Sequence, residues 1–296
     1  MEVHSRTAEQ TIALFRAATE ANQRTSACQG NIIILNKKNA EDVFLTGDIH
    51  GNATNFRAII DTAELEKQES RHLIFQEICH GGGFYPNDRG CRSHHVLENV
   101  VEMKIRYPQR VHHILSNHEM AELTEYPIQK SRQLLNLSFK QGLEYCYGNM
   151  WDDVRLAMVG YLETCPLAVR ISENIFFTHS IPDRLDQPGR IFDITIFNRS
   201  LDPGTDFLRN GSVYRLVWGR DYRQRNADLF AEIVNAEILI TGHEPCPEGV
   251  KFPNSRQVIL DCCGLNACYM ILPTDGQVTL KNHRDFVRNL NTSEKT

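Results

Sequence analysis

Four strand-like runs, each stopping at a residue able to bind a ligand, constrain the possible fold more than any other feature of this chain. The run 43–46 delivers Gly47-Asp48-Ile49-His50-Gly51, and the run 111–115 delivers Ser116-Asn117-His118-Glu119. The run 175–178 is followed by His179, and 238–241 by Gly242-His243. Runs this short, rich in apolar residues and bounded by Gly, Asp or Asn, read as strands buried on both faces. Between the first of them lie helical patterns. Phe56, Ile59 and Ile60 share a face within 52–63, and Val96, Val100, Met103 and Tyr107 recur at helical spacing until Pro108 ends the series. A further short strand, Leu73-Ile74-Phe75, sits between those helices. Alternation of this kind predicts an α/β fold, whose ligands gather where strands end.

Further along, 128–163 is expected to be helical throughout. Strands at 167–171 and 175–178 are joined by a turn at Ser172-Glu173-Asn174, and 182–211, rich in Pro, Gly, Asp and Arg, reads as an irregular excursion. Strands at 258–260 and 269–272 follow. The expected organisation is a single domain over 1–296, with a core of about 42–282, an N-terminal helix at 5–24 and a mobile tail at 290–296. The 296 residues suffice for a sizeable core, and 41% hydrophobic with 23% charged residues is ordinary for a globular protein. A net charge of -5 gives no reason to expect a nucleic-acid surface. No apolar run is long enough to span a bilayer, and the N-terminus lacks a secretory h-region. Nine cysteines, an odd number without a C-x-x-C pair, read as small buried side chains in a reducing compartment, so the expected location is the cytoplasm.

The residues at the strand ends mix hard oxygen with borderline nitrogen donors, a set suited to two transition-metal ions beside a phosphate. Each has an ordinary use when taken alone. Asp48 and His50 could belong to a glycine-flanked turn, Asn117 could cap a helix, and His179 or His243 could be a hydrogen-bonded structural histidine. Their occurrence together at strand ends favours the metal reading.

Asp48-Ile49-His50-Gly51, Asp88-Arg89-Gly90 and Asn117-His118-Glu119 resemble the three signatures of the calcineurin-like metallophosphoesterases. The stretch 96–119 is similar to the serine/threonine protein phosphatase branch almost position by position. The resemblance spans roughly 43–272 and is dense only over 43–119. It implies two packed mixed β-sheets flanked by helices, with metals at the sheet edge. It also implies Asp48 and His50 on one ion, Asn117, His179 and His243 on the other, and a hydroxide bridging them. His118 would protonate the leaving oxygen, Asp88 would orient that imidazole, and Arg89, helped by Arg220, would bind phosphate oxygens beside Asn117. Arg223 and Arg225 compete with Arg220. Manganese is the favoured pair of ions, and iron with zinc or manganese is compatible.

The second signature of that family reads Gly-Asp-x-x-Asp-Arg-Gly, and its first Asp bridges the metals. Three residues before Asp88 stands Tyr85, a poor bridge, whereas Glu77 closes the strand after Phe75. Glu77 is the expected bridge, with Gly81-Gly82-Gly83 and Tyr85-Pro86 in an inserted loop that could act as a lid; His80 is an extra or replacement ligand. The alternative is that one metal has been lost. Ser116 replaces the glycine usual before the Asn-His-Glu turn. His94-His95 and His112-His113 read as structural, and Cys262-Cys263 as packing. The expected activity is a phosphomonoesterase of the protein-phosphatase type acting on a phosphoprotein or small phosphoester. A dinucleoside polyphosphate hydrolase, favoured by the compact segment 260–264, and a catalytically impaired phosphoprotein-binding scaffold are the alternatives. Oligomeric state is not encoded legibly.

Overall fold

The computed structural model describes residues 6–130 and 132–291. Two mixed β-sheets pack face to face. One has five strands in the order Val287–Asn289, Cys268–Pro273, Asp42–Asp48, Arg71–Gln76 and Val111–His113. Its last three run parallel, while Cys268–Pro273 is antiparallel to both of its neighbours. The other has seven, in the order Cys28–Gln29, Ile32–Leu35, Ala168–Ile171, Ile175–Thr178, Ile238–Thr241, Gln257–Leu260 and Val250–Lys251. An isolated parallel bridge between Asp48 and Asp261 ties the sheets at the edge where their strands end.

The two-residue period of a strand divides its side chains between two cores. Val43, Leu45, Ile74, Phe177, Ile240, Val258 and Met270 point between the sheets. Phe44, Phe75 and Phe176 point the other way, into a core shared with Phe15, Val100, Tyr161 and Phe230 of the covering helices. Burial on both faces is why the strands are legible as continuous apolar runs.

The helices start where local chemistry allows. Thr7 caps Ala8–Gln23 in a capping box with Gln10, so the helix begins later than the expected residue 5, which lies outside the described residues. Asn52 caps Ala53–Ala63 by accepting from the N–H groups of Thr54 and Asn55. The segment expected to be helical over 128–163 instead opens with a small hairpin, Gln129–Lys130 against Gln133–Leu134, before Leu135–Tyr147 and Trp151–Leu162. Those four strand residues are exposed, three of them polar, and carry no periodicity to announce them. At the other end, Leu290 is buried, with its N–H on the Ala267 carbonyl, so order extends past the expected tail boundary; 292–296 lie outside the described residues. No helix among the described residues is long and apolar enough to cross a membrane.

Candidate metal centre

Four polar residues at the sheet edge adopt left-handed backbone: His50 (φ 46°), Glu77 (φ 46°), His80 (φ 66°) and His243 (φ 68°). None is glycine, and such conformations persist only where the surroundings enforce them. Here the enforcement is visible. The N–H groups of Ile49 and His50 both donate to the Glu77 carbonyl, and the Cys262 N–H donates to the Asp48 carbonyl. Three strand ends are thereby stitched together, and each chain turns back sharply enough to aim its side chain inward.

Glu77 sits at the middle. Its Oε2 is 3.5 Å from His50 Nε2, while its Oε1 is 3.5 Å from His118 Nε2 and 3.7 Å from His179 Nε2. Asn117 Oδ1 lies 2.7 Å from His179 Nε2 and 3.1 Å from His243 Nδ1. Two ligand groups result, His50–Glu77–His118 and Glu77–His179–His243, and Glu77 belongs to both. Asp48 is buried alongside, with Oδ2 accepting from the His243 N–H at 2.8 Å.

The electrostatics favour a cation. Asp48 Oδ1 and Glu77 Oε2 are buried and have no hydrogen-bond donor. Burial raises the Asp48 carboxyl to about 7, and the nearby charges of Asp261 and Glu119 add to the rise. Glu77 is raised well above the usual carboxylate range by burial and by Asp48. Burial also holds His179 and His243 far below the ordinary imidazole value and lowers His50 to about 4. The imidazoles are thus neutral, the state a metal requires, while the carboxyls hold protons that a bound cation would displace. Gln76 supplies an orienting bond: its amide donates to the Thr46 carbonyl and its Oε1 accepts from His179 Nδ1 at 2.9 Å. The Nε2 lone pair of His179 is thereby aimed at Asn117 Oδ1, and two acceptors in that position call for a positive charge between them. The residues present fit a pair of divalent ions.

Asn117-His118-Glu119 divides its labour. Ser116 is in extended backbone (φ -110°), so no glycine is needed there, and its Oγ caps the helix Asn117–Thr124. Asn117 faces the ligand cluster and His118 turns Nε2 toward Glu77. Glu119 Oε1 accepts from the N–H groups of Ile78 and Cys79, fixing the loop that carries Glu77. His113, raised to about 10 by Cys165 and Glu119 against the opposing effect of its burial, balances that buried carboxylate. His112 points to the opposite face and bonds His72.

Several expectations need correction. Asp88 and Arg89 are exposed residues of the turn after Tyr85, and Arg89 lies over the Tyr145 ring. Neither is among the residues lining the cleft at His50 and His118. Asp88 is therefore not placed to orient His118; the group beside His118 Nδ1 is His80 Nδ1, at 2.9 Å. The inserted loop carries the Asp-Arg pair outward, whereas His80 precedes the insertion and stays beside the strand end. His80 Nε2 is in turn 2.7 Å from Glu122 Oε1, so both of its nitrogens are committed and it is not a spare ligand. Tyr85 is remote from the centre, its hydroxyl shared by His94 and His95. Gly81 and Gly82 pack so tightly on His50 and Gly51 that a Cβ would lie 2.9 Å and 2.3 Å from those carbonyl oxygens, which explains the glycines without invoking a lid. Arg220 pairs with Glu244 at the rim, while Arg223 is tied to Asp186 and Asp221. Sequence reasoning missed Gln76, Glu119, Glu122 and Asp261. Glu119 was visible only as part of the Asn117-His118-Glu119 signature, and Glu122 carried a signal of its own, four residues after His118 on one helix face.

A cleft of about 1000 Å³ opens beside His50, His80 and His118 and extends past Arg57, Arg92 and Lys130. Residues 42–247 match the family model described as calcineurin-like phosphoesterase. The chain belongs to that family. A protein named as a probable serine/threonine-protein phosphatase of Encephalitozoon cuniculi is 22% identical over 250 residues, covering 78% of this chain. The chain spans only 50% of that relative's length. Among solved structures, a protein serine/threonine phosphatase from Saccharomyces cerevisiae with similarity to human phosphatase PP5 aligns with TM-score 0.68 and 16% identity, covering 98% of this chain and 92% of that one. A cold-active protein-tyrosine phosphatase of a psychrophilic Shewanella species aligns with TM-score 0.54 and 13% identity, covering 86% and 80%. At these identities the structural likenesses establish the calcineurin-like fold, two mixed sheets with flanking helices. The family membership implies divalent metal ions.

Proposed function

We propose that this calcineurin-like phosphoesterase hydrolyses phosphomonoesters on serine or threonine side chains of proteins. In this reading Asp48 and His50 hold one divalent ion, Asn117, His179 and His243 hold a second, and Glu77 is shared. Manganese suits this mixture of oxygen and imidazole donors, and an iron–zinc or iron–manganese pair is compatible. The single observation that carries the proposal is the placement of Glu77 in both ligand groups.

Bound ions would supply charge neutralisation at the phosphate and a water acidic enough to attack at neutral pH. The remaining work falls to side chains. His118 directs Nε2 into the centre, where it can give a proton to the departing alkoxide. Burial and the neighbouring imidazoles of His50 and His80 hold the free His118 well below its ordinary value, and the negative charge of an approaching phosphate dianion favours uptake from solvent of the proton it donates. Arg220, close enough to bear on Glu77, His179 and His243, can swing from Glu244 to a phosphate oxygen. The cleft of about 1000 Å³ carries Arg57, Arg92 and Lys130, cations suited to a phosphorylated peptide. A cytoplasmic location accords with the nine free cysteines.

The test is hydrolysis of p-nitrophenyl phosphate by the full chain with added Mn²⁺. Wild-type protein is expected to turn it over, and activity no greater than that of Glu77→Ala would reject the enzymatic reading. A phosphoserine peptide assayed against diadenosine tetraphosphate then decides the substrate class, with the peptide expected to be preferred.

A further inference from the structure

Three buried side chains form a continuous hydrogen-bonded line that ends at the proposed proton donor: Glu122, His80 and His118 are 3%, 1% and 8% exposed. We infer that His80 and Glu122 are positioning residues for His118, an arrangement built from the start of the inserted loop and the helix Asn117–Thr124 where the family signature would place Asp88. The inference rests on the proposed phosphatase reading.

The polarity of the line can be read from its end. Glu122 Oε1 accepts from Asn136 Nδ2 at 2.9 Å and also faces His80 Nε2 at 2.7 Å. A carboxylate so placed accepts a hydrogen bond from His80 Nε2–H, which leaves the lone pair of the neutral ring on His80 Nδ1. That lone pair is 2.9 Å from His118 Nδ1, so His118 must carry its hydrogen there. The ring orientation is thus set, and Nε2 is the atom left facing Glu77 Oε1 at 3.5 Å.

His80 is itself well anchored. Its N–H donates to Ser93 Oγ, its carbonyl accepts from His50 Nδ1, and the Phe139 ring packs edge-on against its imidazole. Asn136 is fixed because its Oδ1 accepts from the Ile128 N–H. The line therefore runs from the hairpin region through a loop to the site without a mobile link.

In the step it serves, the phosphorus–oxygen bond to the leaving group breaks and its electron pair stays on that oxygen. The Nε2 proton of protonated His118 then forms the new O–H bond, leaving neutral imidazole. The Nδ1 hydrogen stays on His118 throughout, held against His80, so no proton passes along the line.

An alkanol leaving group needs that proton, whereas p-nitrophenolate departs without it. The test compares wild type, Glu122→Gln and His80→Phe, as full chains with Mn²⁺, on a phosphoserine peptide and on p-nitrophenyl phosphate. Each variant is expected to lose about tenfold to hundredfold in kcat on the peptide but no more than about threefold on the phenyl ester. KM is expected to hold on both substrates. Equal losses on both, or loss on neither, would overturn the assignment, since a structural role has no reason to distinguish leaving groups. Side-chain ¹⁵N NMR of the metal-free wild type provides an arm independent of activity. His118 is expected to carry hydrogen on Nδ1, and a bare Nδ1 would overturn the assignment even if a variant fails to fold. Wild type inactive on both substrates would sink the phosphatase reading, while the NMR arm would still judge the hydrogen-bonded line.

Discussion

Asp48→Asn is expected to stabilise the metal-free protein and to abolish its stabilisation by metal. Without an ion, Asp48 Oδ1 and Glu77 Oε2 are buried without a donor, and burial moves the Asp48 carboxyl from 3.8 to about 7. The folded value is raised, so this group disfavours folding only where it must ionise. Its penalty is absent below about pH 4, grows from there to about pH 7, and is complete above that; a shift of this size is worth about 4 kcal/mol. Glu77 is raised in the same direction and adds to the trend. In Asp48→Asn the amide oxygen can keep the bond from the His243 N–H, now 2.8 Å, while the amide nitrogen donates to Glu77. The gain at pH 8 is expected to be about 2–4 kcal/mol, or roughly 4–8 °C in Tm for a chain of this size. At pH 4 the difference should shrink toward zero. Saturating Mn²⁺ should raise wild-type stability by about 4 kcal/mol at a thousandfold excess over Kd and the variant's far less. Thermal melts followed by circular dichroism at pH 4 and pH 8, with chelator or Mn²⁺, measure all of this. A chelated Asp48→Asn protein melting at or below wild type at pH 8 would refute the reasoning.

Other outcomes follow from the same geometry. Glu77→Ala should lower activity on p-nitrophenyl phosphate by at least about 100-fold, the scale set by even indirect metal contacts, while Tyr85→Ala, remote from the centre, should retain activity within about tenfold; equal effects would mean that the shared ligand has been misassigned. Gly242→Ala should destroy metal binding and activity, because its Cβ would fall 2.0 Å from Asp48 Oδ1 and 2.8 Å from Gln76 Oε1. Overpacking there should also cost about 1–3 kcal/mol of stability, measurable by denaturant titration. A Gly242→Ala protein of wild-type activity would contradict the close packing described.

Much of the fold was legible because its strands are buried on both faces, which leaves little room for polar residues except at their ends. That same constraint exposed Asp48, Asn117, His179 and His243 as candidates before any geometry was known. The failures have a common cause. Asp88-Arg89-Gly90 matched a family signature, yet an insertion separates it from the strand, and sequence cannot show which side of an insertion stays with the site. His80 precedes the insertion and remains, which only the backbone path reveals. Gln76 and Glu119 act by holding other groups; Glu119 stood in a quoted signature, but its role of holding the Ile78 and Cys79 N–H groups was not marked, and nothing local marks Gln76. The pairing of 129–130 with 133–134 was invisible because exposed strands of two residues have no period.

The account depends on one carboxylate serving two ions. A crystal grown with excess Mn²⁺ and measured at the manganese absorption edge tests it most directly. Two anomalous peaks are expected, one beside Asp48 and His50 and one beside Asn117, His179 and His243, with Glu77 touching both. A single peak, or two peaks with Glu77 turned away, would contradict it.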